Sequence, residues 1–196
     1  MNVQVYGISG YAGAGKDTFC TALGNTIKNK EGGRVVRSAF ADNLKKNINH
    51  FLIKNIGASA FTQDSEQKEV IRPLLVCYGE TMRKADPDYW VNQVFDVINS
   101  YKNRLAGTDQ NFTFIIPDVR YKNEAEAVLE SGGFLIHLDA ESIEAPNDSE
   151  LKNTPIVRDM ATHILEWPRF DESEVEQKAQ EICENFYSNT LLDVVH

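Results

Sequence analysis

The amino-acid sequence predicts an α/β fold in which helices cover a doubly wound, mostly parallel sheet. Two observations support this prediction. Short apolar runs of strand length alternate along the chain with segments whose apolar residues have helical spacing. A glycine-rich turn at residues 10–16 lies directly between the first apolar run and the first helical segment. Such a turn is typical of folds that bind ligands at the carboxyl ends of parallel strands.

Composition predicts a single globular domain over residues 1–196, because 42% of the residues are hydrophobic and 25% are charged. The first residues lack a basic and apolar leader, and no apolar run approaches the length of a membrane span. The net charge of −9 argues against nucleic acid and anionic membrane as partners. Three widely separated cysteines suit a reducing compartment, so we expect a cytoplasmic protein.

The first half of the chain is predicted from apolar runs and from the residues that end them. A buried strand at residues 3–8 and a helix at 16–28 flank the glycine-rich turn. Gly32-Gly33 breaks the chain before a strand at 34–40. Asp42 is predicted as the N-cap of a helix that ends near residue 55. The next helix is predicted to end near Gly79, which serves as a C-cap or a hinge.

The second half follows the same logic. Asp86-Pro87 opens a helix, because proline favours the first helical turn. Continuous apolar runs predict strands at 112–116 and 134–138, with a helix at 123–130 between them. Residues 139–159 are polar and acidic, and we expect them to be irregular. A last strand and an amphipathic helix are predicted at 162–167 and 172–187.

The turn at residues 10–16 reads Gly-Tyr-Ala-Gly-Ala-Gly-Lys and matches the P-loop pattern. Its glycines permit a tight turn in which successive backbone N–H groups converge on phosphate oxygens at a helix N-terminus. A chance glycine-rich turn is the alternative, but both flanking elements are of the type that a P-loop requires. The predicted nucleotide-binding residues are Gly10, Ala12, Gly13, Ala14, Gly15, Lys16, Asp17 and Thr18.

One departure from the usual motif follows Lys16, where P-loops carry Ser or Thr. Here Asp17 takes that position and Thr18 comes next. A shift of one residue turns a side chain about 100° around a helix, so Thr18 is no simple substitute for a magnesium-binding hydroxyl. The Asp17 carboxylate suits Mg²⁺, directly or through water, and also suits a position near a transferred phosphoryl group. The sequence leaves these roles open.

A second motif follows the apolar strand at 112–116 and reads Pro117-Asp118-Val119-Arg120. An acidic residue at the tip of a buried strand is where P-loop proteins place a carboxylate for Mg²⁺ or its water shell. Asp118 is therefore a metal candidate together with Asp17, and Arg120 is a candidate contact to phosphate. A plain surface turn is the alternative reading.

A third block covers residues 72–90. Arg72 and Arg83 flank Gly79, an arrangement that suits the binding of a substrate phosphate by bidentate guanidinium groups. Trp90 offers a flat surface either to a base or to the core, and its spacing favours the core. The basic stretch at 28–54 is mostly a solvated helix face, from which Lys45 is our one substrate candidate.

These motifs resemble those of the deoxynucleoside monophosphate kinases of tailed bacteriophages. The resemblance rests on residues 9–18 (Ser-Gly-Tyr-Ala-Gly-Ala-Gly-Lys-Asp-Thr), on Arg72, Gly79 and Tyr89-Trp90-Val91, and on residues 116–120 (Ile-Pro-Asp-Val-Arg). Ala127, Gly132-Gly133 and Ile136-His137 continue it, and Asp17 after the lysine is part of the family pattern. Animal-type phosphomevalonate kinases are similar at a set of separate positions, which are Lys68-Glu69, Arg72, Gly79-Glu80, Arg83, Ala85-Asp86-Pro87, and Asp118 with Arg120.

The resemblance implies a nucleoside monophosphate kinase-like P-loop fold with an acceptor-binding helical region near 42–105 and a lid near 140–157. It also implies transfer of the γ-phosphoryl group from Mg-ATP to a deoxynucleoside 5′-monophosphate. Lys16, Asp17 and Arg120 would then serve catalysis, and Lys45, Arg72, Gly79, Arg83, Trp90, Asp118 and Arg120 would contact the substrate.

Three questions stay open at this stage. The acceptor is a deoxynucleotide in the leading interpretation and a non-nucleotide phosphate such as phosphomevalonate in the alternative. A nucleotide-binding switch is a third hypothesis, which the lack of DxxG and NKxD signatures in context disfavours. The oligomeric state is undetermined, with a homodimer as one alternative. If a phage encodes the protein, the compartment is the cytoplasm of its host.

Overall fold

A parallel sheet of five strands forms the centre of the computed structural model, which describes residues 3–140, 143–145, 147–171 and 173–193. The strands are β1 (Val3–Ser9), β2 (Arg34–Arg37), β3 (Phe112–Ile116), β4 (Phe134–Ala140) and β5 (His163–Trp167). Their order across the sheet is β2-β3-β1-β4-β5, with every neighbouring pair parallel. The carboxyl ends of all five strands therefore meet at one edge of the sheet.

Helices connect these strands and cover both faces of the sheet. They are α1 (Lys16–Glu31), α2 (Phe40–Ile56), α3 (Ser65–Ala85), α4 (Tyr89–Leu105), α5 (Lys122–Glu130), α6 (Asp148–Asp159) and α7 (Val175–Asp193). No helix in the described part of the chain is both long and apolar enough to cross a bilayer.

Successive side chains of a strand point to opposite faces of the sheet, so the core consists of two layers. In β3, Phe114 packs with residues of α4 and α5, whereas the next residue, Ile115, packs with residues of α1 and α7. Val5 and Tyr6 in β1 are divided in the same way. The strand β3 lies between the two layers and is buried along its whole length. Burial on two faces explains why the strand reads as a continuous apolar run, and the doubly wound α/β prediction is confirmed.

A third, smaller core lies outside these layers, between α2 and α3. Leu52 of α2 and Ile71 of α3 are buried there with Ala58 and Ala60 of the connecting segment. The α2–α3 pair therefore has its own packing, within the region predicted to bind the acceptor.

Two element predictions in this region were wrong. The helix α3 does not end at Gly79 but continues to Ala85. Gly79 is a packing glycine, because a Cβ at this position would lie 2.7 Å from Leu44 Cδ1 of α2. The helix α2 begins at Phe40, so Asp42 is not its N-cap. Instead, Asp42 Oδ2 lies 2.9 Å from Arg37 Nη1.

Other boundaries also shifted. The helix predicted to open at Asp86-Pro87 begins at Tyr89, and Asp86 instead closes α3 by donating its amide to the Met82 carbonyl. The segment 139–159 contains α6, which was predicted to be irregular. The closing helix α7 begins at Val175, and Glu172 lies outside the described residues.

Candidate active site

The glycine-rich turn connects β1 to α1 at the carboxyl edge of the sheet, as the P-loop motif predicts. Gly15 precedes α1 with a φ of 79°, in the left-handed region. A Cβ at Gly15 would lie 2.5 Å from Nε1 of Trp167, at the end of β5. Only glycine meets both requirements at this position. The turn therefore brings loop amides to the N-terminus of a sixteen-residue helix, which is a favourable position for phosphate.

Lys16, the first residue of α1, folds back over this loop. Its Nζ donates hydrogen bonds to the carbonyl oxygens of Gly10 and Tyr11, each at 2.7 Å. In this conformation the ammonium bridges two carbonyl groups of the loop. The same reach allows the ammonium to meet phosphate oxygens held in the loop.

Several charged groups converge on Lys16. Burial lowers the pKa of its ammonium, and the charge of Arg120 adds to this effect. The carboxylates of Glu150, Asp17 and Asp118 oppose it. Four residues predicted from the sequence therefore lie in one electrostatic neighbourhood, namely Lys16, Asp17, Asp118 and Arg120. Glu150 belongs to the same neighbourhood and was not predicted from the sequence.

Asp17 lies at the outer side of this neighbourhood, with 86% of its side chain exposed. Its Oδ1 is 3.4 Å from Nη2 of Arg37, which also pairs with Asp42. The carboxylate thus keeps most of its oxygen lone pairs open to solvent. Thr18, the next residue of α1, is half-buried.

Asp118 is half-buried and caps a helix. Its Oδ1 accepts the amide of Phe40 at 3.0 Å and its Oδ2 accepts the amide of Ala41 at 2.9 Å, at the N-terminus of α2. Burial raises the pKa of this carboxyl, while the two amides and then Arg120 oppose the shift. Each oxygen keeps one lone pair, so Asp118 fits a magnesium site through water better than as a bare ligand.

Arg120 pairs with Glu150 of α6. Nη1 of Arg120 lies 3.2 Å from Oε1 of Glu150, and Oε2 of Glu150 accepts the amide of Ala12 at 2.8 Å. The Glu150 side chain is only 7% exposed, whereas that of Arg120 is 49% exposed. A carboxylate from the predicted lid therefore lies on the P-loop itself.

Arg83 reaches the same edge of the sheet from α3. Its Nη2 lies 2.9 Å from Oε1 of Glu124, and its guanidinium lies 4.1 Å from the ring centre of Tyr121. The other oxygen of Glu124 accepts the amides of Arg120 at 2.8 Å and Tyr121 at 3.1 Å. One buried carboxylate thus ties the acceptor-side helix to the loop that carries Arg120. Burial raises the pKa of Glu124 to about 7, against the effect of Arg83.

The remaining substrate candidates do not converge as predicted. Arg72 is exposed on α3, about 16 Å along the helix axis from Arg83, so the two residues do not flank one phosphate from a helix end. Lys45 is half-buried with its Nζ 5.8 Å from the ring centre of Phe61.

Trp90 was a substrate candidate, and the structure corrects this assignment. Its side chain is 1% exposed and its indole N–H donates to the Gly79 carbonyl at 3.2 Å. The rings of Tyr78 and Tyr89 pack edge-on against it. Trp90 thus fixes α3 against α4 and offers no free face to a base.

The carboxylates of Asp17 and Asp118 are the two metal-ligand candidates predicted from the sequence. In the described part of the chain no group of three or more histidine, cysteine or acidic side chains converges to hold a metal ion. Mg²⁺ commonly uses one or two carboxylates, with water and substrate phosphates completing its shell. The residues present therefore fit a magnesium ion that arrives with a nucleotide.

Comparison with known proteins agrees with this geometry. The sequence matches the family model of phosphomevalonate kinase over residues 8–132, which include the P-loop, α2, α3 and the Asp118–Arg120 loop. No curated protein matches the sequence.

Three solved structures are similar in shape. Dephospho-CoA kinase from Campylobacter jejuni has 13% identity and a TM-score of 0.47, over 96% of this chain and 99% of that chain. Shikimate kinase from Aquifex aeolicus has 13% identity and a TM-score of 0.38, over 96% and 99%. A gluconokinase from Sinorhizobium meliloti has 11% identity and a TM-score of 0.36, over 97% of each chain. With TM-scores below 0.5, these likenesses indicate no function.

Proposed function

This chain belongs to the phosphomevalonate kinase family and is a P-loop kinase, and we propose that it phosphorylates a small acceptor that already carries a phosphate. The donor is ATP and the acceptor is a deoxynucleoside 5′-monophosphate. The reaction transfers the γ-phosphoryl group to an oxygen of the acceptor phosphate, so that the products are ADP and a deoxynucleoside diphosphate.

The donor side rests on the loop and on Lys16. The amides of residues 10–16 and the N-terminus of α1 bind phosphate oxygens, and Lys16 exchanges its two carbonyl partners for them. Asp17 and Asp118 would hold Mg²⁺, directly or through its water shell. When bound, the metal neutralises charge on the transferring phosphoryl group.

The acceptor side rests on Arg83 and Arg120, and their junction is the observation that carries the proposal. Glu124 binds the guanidinium of Arg83 and the backbone amide of Arg120 at the same time. The side chains of Arg83 and Arg120 are 26% and 49% exposed, so each keeps donors for a ligand. Two guanidinium groups beside a P-loop suit an acceptor that brings a second phosphate to the donor.

Chemistry at this site needs alignment more than an activated protein nucleophile. The acceptor phosphate is itself the nucleophile, and the bond between the γ-phosphorus and its bridging oxygen breaks as the new bond forms. Arg83 and Arg120 orient the acceptor and neutralise charge. Lys16 follows the γ-phosphoryl group during the transfer.

The choice of a nucleotide acceptor has two supports. The first is the resemblance to phage deoxynucleoside monophosphate kinases in the motifs around Lys16, Gly79 and Arg120. The second is Phe61, which is 41% exposed between α2 and α3 beside Lys45. An exposed flat apolar ring in the region proposed to bind the acceptor suits stacking of a base. We accordingly assign residues 42–105 to the acceptor and 140–157 to the lid, of which 141, 142 and 146 lie outside the described residues.

Phosphomevalonate is the second candidate acceptor, and the family match favours it. The matched residues 8–132 include both Arg83 and Arg120. These side chains suit either acceptor, because both acceptors present a phosphate. The rest of each molecule differs, since phosphomevalonate offers a carboxylate and a short chain where a nucleotide offers a base.

A panel of acceptors separates the candidates. ADP release from Mg-ATP is measured with dTMP, dGMP, dCMP, dAMP, the ribonucleotides and phosphomevalonate, each alone. Turnover with one or more deoxynucleotides supports the proposal and defines its base range. Turnover with phosphomevalonate alone replaces it with the second candidate. Slow hydrolysis that no acceptor accelerates contradicts both and returns the chain to the switch hypothesis.

A further inference from the structure

Glu150 is an acidic residue placed where a P-loop kinase needs a phosphate. Its two carboxylate oxygens bind the Ala12 amide at 2.8 Å and the Arg120 guanidinium at 3.2 Å. We infer that Glu150 is an internal occupant of a phosphate subsite, which must leave before ATP binds. The inference rests on the proposed function in one respect, namely that this loop binds the phosphates of ATP.

The partners of Glu150 identify the subsite. A loop amide and an exposed arginine are donors of the kind that bind phosphoryl oxygens. Each donates to a different oxygen of one carboxylate, and the side chain is 7% exposed. Lys16 meanwhile binds the carbonyl oxygens of Gly10 and Tyr11. The protein's own anionic and cationic groups thus bind the polar groups of the loop.

A nucleotide triphosphate cannot share this position with Glu150. Both are anions, and they compete for the same two hydrogen-bond donors while repelling each other. ATP therefore gains the Ala12 amide and Arg120 only after the carboxylate withdraws. Arg120 changes partners in the same event, from Glu150 to phosphate. The lid and the donor site are coupled through one exchange of anions.

The helix α6 can release Glu150 locally. The residue lies in the first turn, where its amide donates to Oδ1 of Asn147 at 2.9 Å. Further along, Thr154 and Val157 are buried and anchor the rest of the helix. The first turn also borders an open cavity of about 540 Å³, lined in part by Tyr11 and Leu151. The carboxylate has space to move while the end of α6 stays packed.

The test is titration calorimetry with Mg-ATP and no acceptor. Glu150→Gln keeps the size of the side chain and removes its charge, so we expect it to bind ATP at least about tenfold more tightly, which corresponds to about 1.4 kcal/mol. Asp148→Asn is the matched control, because Asp148 is an exposed acid in the same turn. It should change the affinity less than about twofold, since solvent and salt screen an exposed charge.

Thermal unfolding gives a second readout. Without ATP, Glu150→Gln should melt a few degrees below the wild type, because Arg120 loses its partner. With saturating ATP, its melting temperature should rise by more than that of the wild type. If Glu150→Gln does not fold, Glu150→Asp replaces it, since a shorter side chain cannot reach both partners.

The outcomes are distinct. Equal or weaker ATP binding by a folded Glu150 variant overturns this inference and leaves the kinase proposal intact. A wild-type protein that binds no ATP overturns both. A wild-type protein that binds ATP but phosphorylates no tested acceptor overturns the acceptor assignment alone, and the comparison of ATP affinities still decides the role of Glu150.

Discussion

We propose that Lys16 acts on the transferring phosphoryl group, and its ammonium lies among the charges of Arg120, Glu150, Asp17 and Asp118. Replacing Lys16 with alanine should lower kcat/KM by about two to three orders of magnitude, because a preorganised charge is lost from the site. Steady-state kinetics of Lys16→Ala measures this loss, and circular dichroism confirms the fold.

The matched control is Lys28→Ala, which removes an exposed lysine from the same helix. It should leave kcat/KM within about twofold. Near-normal turnover of Lys16→Ala would falsify its assignment to the transferring phosphoryl group.

His137 gives the stability of the protein a predictable pH dependence. It is buried in β4, where its Nδ1 lies 2.9 Å from Oγ of Ser9, the last residue before the P-loop. Burial lowers the pKa of the imidazole from 6.5 to about 4. As the pH falls, His137 therefore gains a proton in the unfolded chain at a higher pH than in the folded protein. The contribution of neutral His137 to the free energy of unfolding is fully present above about pH 6.5. About 3 kcal/mol of it is lost as the pH falls toward 4.

Urea unfolding at several pH values measures this slope. His137→Gln should flatten it between pH 6.5 and 4, whatever its effect on stability at neutral pH. His50→Gln, at an exposed position of α2, should leave the slope unchanged. A wild-type slope that survives in His137→Gln assigns the acid sensitivity to another group.

Part of the site could be predicted from the sequence, because its residues belong to contiguous motifs. Lys16 and Asp17 follow a glycine pattern, and Arg120 follows a strand and a proline. Glu124 and Glu150 were missed for the opposite reason. Glu150 acts through partners distant in sequence, Glu124 joins two nearby amides to the distant Arg83, and neither stands in a motif that was recognised. The spacing of Glu124 from Tyr121 is that of a capping box, which offered the one available signal.

Among the elements, α2 is capped by a carboxylate from the loop that follows β3. Ala39, its N-cap residue, makes no side-chain cap, and Asp118 supplies both hydrogen bonds instead. Asp118→Asn should lower the free energy of unfolding by about 1 to 3 kcal/mol, because an amide group cannot accept from both backbone N–H groups. Denaturant unfolding without nucleotide or metal measures the change.

This measurement separates structure from catalysis. Asp42→Asn, in the first turn of the same helix, is the control and should cost about 0 to 1 kcal/mol, because its partner Arg37 is half-exposed. Loss of turnover by Asp118→Asn with unchanged stability would limit the residue to a metal role.

The sequence prediction misplaced the helices in which buried positions are not occupied by apolar residues at helical spacing. In α6, Glu150 and Thr154 are buried together with Val157, so two of these three core-facing positions are polar. Pro155 lies within the same helix. In α3, Gly79 suggested a helix end, but it serves close packing on Leu44. Tertiary contacts override local signals at both places.

At the scale of the whole molecule, the separate core between α2 and α3 predicts uneven stability. Hydrogen exchange should be faster in α2 and α3 than in β1 and β3, since the small core of Leu52 and Ile71 can open without disrupting the sheet. A deoxynucleotide bound between these helices should slow their exchange and leave that of the sheet unchanged. Mass spectrometry with pulsed deuteration measures both effects. Uniform exchange across helices and sheet would mean that the molecule opens as one unit.

The chain has two tryptophans, one beside the P-loop and one in the region proposed to bind the acceptor. Trp167 lies against Gly15 of the P-loop, and Trp90 lies under Gly79 of α3. Indole emission depends on the immediate surroundings of the ring, so under the proposed function each tryptophan would report on one substrate. Trp90→Phe would leave a chain whose fluorescence follows the donor, and Trp167→Phe one whose fluorescence follows the acceptor. The order in which the two ligands arrive is thereby open to direct observation without any attached dye.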